Sequence, residues 1–376
     1  MSGHENVFLL VIFSVFISAA AIQLFYYLYF YLSVHQFKPE ITNPVKLPVS
    51  VIICARDEAE NLTRFLPSVL EQDYPDYEVV VVNDCSEDSS REILENFQLK
   101  YPHLKVSTIN KDPKFTHNKK LAQFIGIKAA KNEILLFTDA DCRPESNKWL
   151  EGMTMHFNEK ISFVLGYGGF LNENGFLNKY IRYDSITIAM QYLAMAIRGI
   201  PYMGVGRNLA YRRSVFFANK GYGPHNHIIS GDDDLFVNAN ATGANTTIEF
   251  NLNTHTRSIP STNFDQWLAQ KRRHLTTARY YKLRDKTLLI AEPVSRIIYN
   301  ITLIVLLSYT FLWPFVLSVF VIRLITQVYV FKLIQLKLNE PGMVVYSLFF
   351  DIFSPLMNSI VYLSNIQSRS VKNKWK

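Results

Sequence analysis

Asp139 and Asp141 stand one residue apart in Thr138-Asp139-Ala140-Asp141, directly after the apolar run Ile134-Leu135-Leu136-Phe137. Two carboxylates at the carboxyl end of a buried strand, the edge at which an open α/β sheet binds ligands, are placed to hold a divalent cation against a diphosphate. The spacing alone is a weak signal, because an acid pair at i, i+2 also occurs in solvated turns and helix caps. Its company strengthens it. Arg56-Asp57-Glu58 and Asn83-Asp84 follow two other apolar runs. If all three groups fall on one edge of a sheet, Glu58 or Asp57 and Asp84 can accept hydrogen bonds from a nucleobase or ribose while Asp139 and Asp141 hold the metal. Taken singly, Asp57 and Glu58 also read as the acidic start of a helix, and Asp84 as a turn and cap.

The elements that must position these groups alternate along the chain. Residues 49–54 form a short β-branched run, and the amphipathic stretch 58–70 follows with Leu62, Phe65, Leu66, Val69 and Leu70 at helical spacing. The pattern repeats as 78–82 then 89–97, as 104–109 then 121–130, and ends at 134–137. Such alternation with near-continuous apolar strands predicts an α/β fold, a Rossmann-like half with a parallel sheet covered on both faces. Beyond Asp141 the rhythm becomes irregular, with strands expected at 163–166 and 209–211 and helices at 178–198 and 232–240; this half would build the acceptor side. The stretch 178–198 is apolar, but Lys179, Arg182, Asp184 and Arg198 make it a packed or interfacial helix and not a membrane span.

With 376 residues, 49% hydrophobic and 14% aromatic, the chain is too apolar to lie wholly in water. The excess sits at the two ends. Residues 7–34 carry no formal charge and are long enough to cross a bilayer as a helix; a cleaved signal peptide would need a basic leader, and the first six residues have no Lys or Arg. Apolar stretches return at 297–311, 315–334 and 343–363, so two or three further spans are expected. Arg323 and Asp351 fall inside the last two, and Pro355 interrupts 343–363, which predicts that this segment lies on the interface or re-enters. Intramembrane polarity otherwise reads as slight. Net charge is +7, and residues 271–286 hold seven Lys or Arg against Asp285 alone. Beside membrane spans, such a basic helix suits the anionic cytoplasmic face and membrane lipids rather than nucleic acid. Simple crossing by 343–363 would carry the basic end 372–376 outside, against the positive-inside tendency. Cys54, Cys85 and Cys142 show no paired framework or metal-ligand spacing, which implies a reducing compartment.

From about residue 48 to 281 the chain resembles the family 2 glycosyltransferases, inverting enzymes of GT-A fold that use nucleotide-diphosphate sugars. The matching pieces are 51–58 at the first strand, 81–86 at the second, Thr138-Asp139-Ala140-Asp141 at the fourth, then Gly206-Arg207-Asn208-Leu209-Ala210-Tyr211, Gly231-Asp232-Asp233-Asp234 and Gln270-Lys271-Arg272-Arg273. The flanking spans are similar to those of the family's integral-membrane branch. The resemblance implies that Ala55, Arg56, Glu58 and Asp84 contact the nucleotide, with Lys119 or Lys120 near it, and that Asp139 and Asp141 bind Mg2+ or Mn2+. It places the general base at Asp233, beside Asp232, with Asp234 as the alternative; three clustered acids also raise one another's pKa, which suits a proton acceptor. Gln270 and Arg273 would position and neutralise the leaving diphosphate. His274 stands where the family motif has Trp, which removes an aromatic platform under the acceptor sugar; Tyr280 or Trp267 could replace it.

These readings divide the chain into a membrane helix at 1–36, a cytoplasmic GT-A domain at 47–262, a basic interfacial helix region at 263–290, membrane helices over 295–365 and a basic tail at 366–376. They predict a membrane-bound inverting transferase moving a sugar from a nucleotide-diphosphate donor, UDP-linked, to a lipid or lipid-linked glycan, one transfer per encounter, in a bacterial inner membrane. The competing readings are a processive polysaccharide synthase, which so few spans disfavour as a channel, and a non-catalytic scaffold, which the retained acids and Arg273 disfavour.

Overall fold

The computed structural model describes residues 3–39, 46–111, 118–228 and 230–367; most of the expected basic tail lies outside them. Four strands, β1 (Val49–Ala55), β2 (Tyr77–Asp84), β3 (Leu104–Ile109) and β4 (Ile134–Phe137), are connected by the helices Ala59–Leu70, Ser90–Lys100 and Lys119–Ala129. They pair in parallel in the order β3-β2-β1-β4. Every side chain of β1 is buried, as a strand covered on both faces requires. The chain leaves β1 toward β2 and returns on its other side as β4, so the carboxyl ends of β1 and β4 flank a topological switch point, the crevice in which such sheets bind ligands.

The irregular half completes the same sheet in the opposite sense. After β5 (Cys142–Pro144), β6 (Phe163–Gly166) and β7 (Gly168–Phe170) comes β8 (Leu209–Arg212), which pairs antiparallel to β4 and to β6; β9 (Thr246–Glu249) closes the edge beside β6. A second, three-stranded sheet sets β10 (Thr256–Ser258) between β5 and β7. Asp139 and Asp141 therefore sit in the turn that carries the chain from one sheet into the other, closed by Cys142 N donating to Asp139 O at 3.1 Å. The Phe176–Ile197 helix is buried along most of its length and packs on the first and last membrane helices.

Four helices are long and apolar enough to cross a membrane: His4–Gln36, Leu283–Ser308, Trp313–Lys337 and Met343–Ser364. The second begins well before the expected apolar stretch at 297, because Glu292 and Arg296 pair with each other and turn inward. The basic stretch 271–286 is not one helix. It comprises the end of the amphipathic Phe264–Leu275 helix, a turn at Ala278–Tyr280 and the first turn of Leu283–Ser308.

Polarity within the spans is larger than the sequence suggested. Arg323 donates to Asp351 at 2.8 Å, Gln23 at 3.1 Å and Gln327 at 2.6 Å, and Arg296 lies 3.0 Å from the other oxygen of Asp351. Gln23 in turn donates to Glu292 O and Ser295, stapling the first helix to the second. Asp351 is thus a core partner, and the last helix presents Ser347, Asp351, Ser354 and Asn358, at spacing i, i+4, i+7, i+11, along one lining face. Its opposite face, with Phe349, Ile352, Phe353 and Leu356, is exposed and apolar. Near the α/β domain the first span passes through a π-helical turn, Tyr26–Tyr31, that buries four aromatic rings.

Candidate active site

The loops after β1 and β2 are sewn together. Asp57 and Cys85 adopt left-handed φ of 53° and 57°, and Ser86 accepts from Asp57 N at 3.0 Å while Asp57 Oδ1 accepts from Glu87 N at 2.7 Å. Ser90 and Asp88 accept from Glu58 N and Ala59 N at 3.1 and 3.0 Å. Asp57 is thereby committed to the neighbouring loop, and Glu58 is the acid that faces inward.

Beside these loops opens a cavity of about 830 Å3, within the size range of small-molecule sites. Arg56, Glu58, Lys119, Asp139, Asp141, Asp232, Asp233, Asp234, Gln270 and Arg273 all line it. Ala55, Asp84 and Lys120 do not. Ala55 and Asp84 are fully buried at the ends of their strands, and the Lys120 ammonium turns away to donate to His225 O and Ile228 O, each at 2.8 Å. Of the two lysines, Lys119 reaches the acids: its Nζ is 2.7 Å from Asp139 and 3.5 Å from Asp232. Trp267 contributes to the cavity wall, edge-on to Tyr180, whereas Tyr280 lies outside it.

Asp139 and Asp141 are electrostatically unequal. Burial would raise Asp139, but Lys119, aided by Arg207 and Arg273, lowers it below the usual carboxylate range. Asp141 is raised, by burial first and then by the charge of Asp139; Ser258 donates to its Oδ2 at 2.9 Å. Ligand atoms of Asp139, Asp141 and Cys142 lie within 4.8 Å of one another, so the group could hold a metal ion. Burial, with Asp141 and Asp139 next to it, pushes the Cys142 thiol well up, which leaves a protonated sulfur and two carboxylates. Two carboxylates are the protein share that Mg2+ or Mn2+ takes when a diphosphate and water supply the remaining oxygens.

The acidic triplet is a helix start. Asp233 caps the Asp234–Asn240 helix, its Oδ1 accepting from Asp234 N at 2.7 Å and its Oδ2 from Gly206 N at 2.6 Å. Burial, then the charges of Asp232 and Asp234, raise Asp233 to about 7 despite Lys119 and the Gly206 amide. Asp234 is tied to Thr277 and, at 2.7 Å, to Tyr281, which couples the triplet to the segment following Arg273. The Oδ2 of Asp232 is buried without a hydrogen bond among the described residues. His274 faces the cavity; the surrounding protein and the cations Arg273, Arg207 and Lys271 push its imidazole down, so the ring is neutral.

Residues 50–217 match the family model described as glycosyl transferase family 2. This region is a family 2 glycosyltransferase domain. Glycosyltransferase AglE of Haloferax volcanii is 34% identical over 189 residues, a match that covers 49% of this chain and 58% of that protein. The probable glycosyltransferase YdaM of Bacillus subtilis is 25% identical over 304 residues, 75% of this chain and 68% of YdaM. The match thus reaches less than two thirds of AglE. Among solved structures, the mannosyltransferase PcManGT of Pyrobaculum calidifontis, in complex with GDP-Man and Mn2+, superposes with a TM-score of 0.62 at 16% identity, over 96% of this chain and 99% of that one. At that identity the likeness establishes a shared fold, GT-A domain and flanking helices together.

Arg207, which lines the cavity, and Ser258, which bonds Asp141, had no role assigned from sequence. Arg207 stands 4.2 Å over the Phe170 ring within the Gly206–Tyr211 stretch that the family resemblance includes, so that stretch was a usable signal. Ser258 had none, because it meets Asp141 from 117 residues away.

Proposed function

We propose that the protein transfers a sugar, with inversion, from a UDP-linked donor to a membrane lipid or lipid-linked glycan, one transfer per encounter, with its catalytic domain cytoplasmic. One observation carries the reading: the cavity that holds Asp139, Asp141 and Asp233 continues without interruption between the membrane helices, where Tyr27, Tyr31, Gln327, Asp351 and Asn358 line it. A donor bound at the strand ends and an acceptor anchored in the bilayer share one space.

The chemistry follows from the residues. The acceptor hydroxyl attacks the anomeric carbon as its proton passes to the Asp233 carboxylate, whose affinity for a proton near neutral pH suits a general base. The C1–O bond to the diphosphate breaks, and both electrons leave with the nucleotide. Arg273, Arg207 and Lys119 line the cavity where that negative charge develops. Mg2+ or Mn2+ bound by Asp139 and Asp141 would neutralise further charge on the diphosphate. Glu58 and Arg56, which line the cavity beside the β1 loop, would contact the nucleoside. The absence of an indole at position 274 supports a single transfer over processive extension.

The test is a turnover screen with the full chain in nanodiscs, a panel of UDP- and GDP-sugars including GDP-mannose, Mn2+ or chelator, and short-chain polyprenyl phosphates or glycolipids as acceptors. A UDP-sugar consumed only with divalent cation, faster with lipid, is expected. Long product ladders would contradict the single transfer, a GDP-sugar preference would replace the nucleotide, and no consumption of any donor would sink the reading.

A further inference from the structure

Glu340 lies in the turn between the last two membrane helices, yet it is 1% exposed and sits inside the catalytic domain. Its Oε1 accepts from Tyr167 OH at 2.8 Å and from Arg257, and its Oε2 from Arg182 Nε at 2.8 Å. Arg257 also donates to Leu338 O and Asn339 O, each at 3.1 Å. The turn is shaped for this fit by positive φ at Asn339 and Gly342, 52° and 81°. On the domain side, a Cβ at residue 169 would come within 2.2 Å of Arg257 and 2.8 Å of Glu340, so glycine is needed there. Burying a carboxylate and two guanidinium groups costs several kcal/mol per ion before pairing, far more than closing a helical hairpin calls for.

The consequence reaches the metal-binding carboxylates. Arg257 is the central residue of β10 and pairs with Arg143 of β5; the next residue, Ser258, pairs with Cys142 and donates to Asp141 Oδ2 at 2.9 Å. Two links therefore join the membrane hairpin to Asp141.

We propose that Glu340 is a positioning residue for Asp141: through Arg257 and β10 it sets where that carboxylate stands, so that seating of the membrane hairpin and affinity for the divalent cation are coupled. This rests on the reading of Asp139 and Asp141 as a cation site.

The test measures Mn2+ binding by electron paramagnetic resonance of the free ion, with the full chain in nanodiscs, for wild type, Glu340→Gln, Ser258→Ala and the double variant, with Arg257→Lys as a milder break should Glu340→Gln not fold. Removing outer-shell support typically weakens metal binding by about tenfold or more. Each single variant should lose about that, the double no more than the worse single, and the donor KM at saturating Mn2+ should stay unchanged. Folded Glu340→Gln or Arg257→Lys protein with wild-type Mn2+ affinity, or losses that multiply in the double variant, would overturn the proposal. Wild type that takes up no Mn2+ would overturn the cation site itself.

Discussion

Two groups of buried charge line the same cavity and differ in how their charges balance. Between the membrane helices, Arg296 and Arg323 meet Glu292 and Asp351, two cations on two anions; Gln23 and Gln327 accept further bonds from Arg323, whose Nε has no hydrogen bond among the described residues. At the strand ends Lys119 lies between Asp139 and Asp232, with Asp141 beside Asp139 and Asp233 beside Asp232, and one oxygen of Asp232 has no hydrogen bond among the described residues. The first group is closed in charge, two guanidinium groups against two carboxylates, as pairing of intramembrane charges calls for. The second holds more carboxylates than cations beside them, and burial first, then the neighbouring carboxylates, raise Asp141 and Asp233 above their ordinary values. A surplus of buried carboxylates is costly to folding, so its retention at one place is what a site for a bound cation calls for.

The strongest way to break this contrast is Asp233→Asn. As the base it should cost on the order of 10²–10⁴-fold in kcat while nucleotide binding changes little. The pH profile supplies the sign: the ionised form accepts the proton, so with Asp233 near 7 the wild-type kcat falls about tenfold per pH unit below neutrality and levels off above it. In the variant that limb should vanish. A loss confined to donor binding, with the limb intact, would move the base elsewhere.

The closed group should answer differently. Arg323→Ala leaves Asp351 with half of its pairing, and breaking a buried pair in this way typically destabilises by about 3–5 kcal/mol. Thermal unfolding in detergent should show the loss, while turnover per folded molecule stays near wild type. If turnover collapses at unchanged stability, the membrane cluster belongs to the chemistry and the two groups act as one.

A finer test separates two adjacent lysines. Lys119→Met removes the internal cation that competes for Asp139, and should tighten Mn2+ binding roughly tenfold or more while slowing transfer. Lys120→Met strands two carbonyls, and should cost about 1–3 kcal/mol of stability with donor KM unchanged. Equal effects of the two on KM would mean that the loop near His225 moves to let Lys120 into the site.

The same contrast explains what could be read in the sequence. The parallel strands and the groups at their ends are encoded locally, in β-branched runs and amphipathic helices, so β1 to β4, Glu58, Asp139 and Asp141 were legible. The three-residue strands β5, β7 and β10 have no period to detect. Pairings such as Gln23 with Arg323, 300 residues apart, leave no trace in a single chain. Residues 271–286 read as one basic helix because charge density says nothing about the break at Ala278–Tyr280. The choice between Asp57 and Glu58, and between Lys119 and Lys120, depends on which way a side chain turns, which spacing does not specify.

Gly206 gives the smallest and sharpest prediction. A Cβ there would stand 3.1 Å from Asp233 Oδ2, tighter than ordinary contact, while the Gly206 amide must still reach that oxygen. Gly206→Ala should push the carboxylate a few tenths of an ångström from its position without disturbing Asp139 or Asp141. Since a misplacement of about 1 Å can cost 10²-fold, a loss of roughly tenfold in kcat is expected at unchanged Mn2+ affinity. Mn2+ affinity falling in step with kcat would show that the two acidic groups move as one body, and the open cluster would have to be treated as a single site instead of a base and a cation pair held on separate elements.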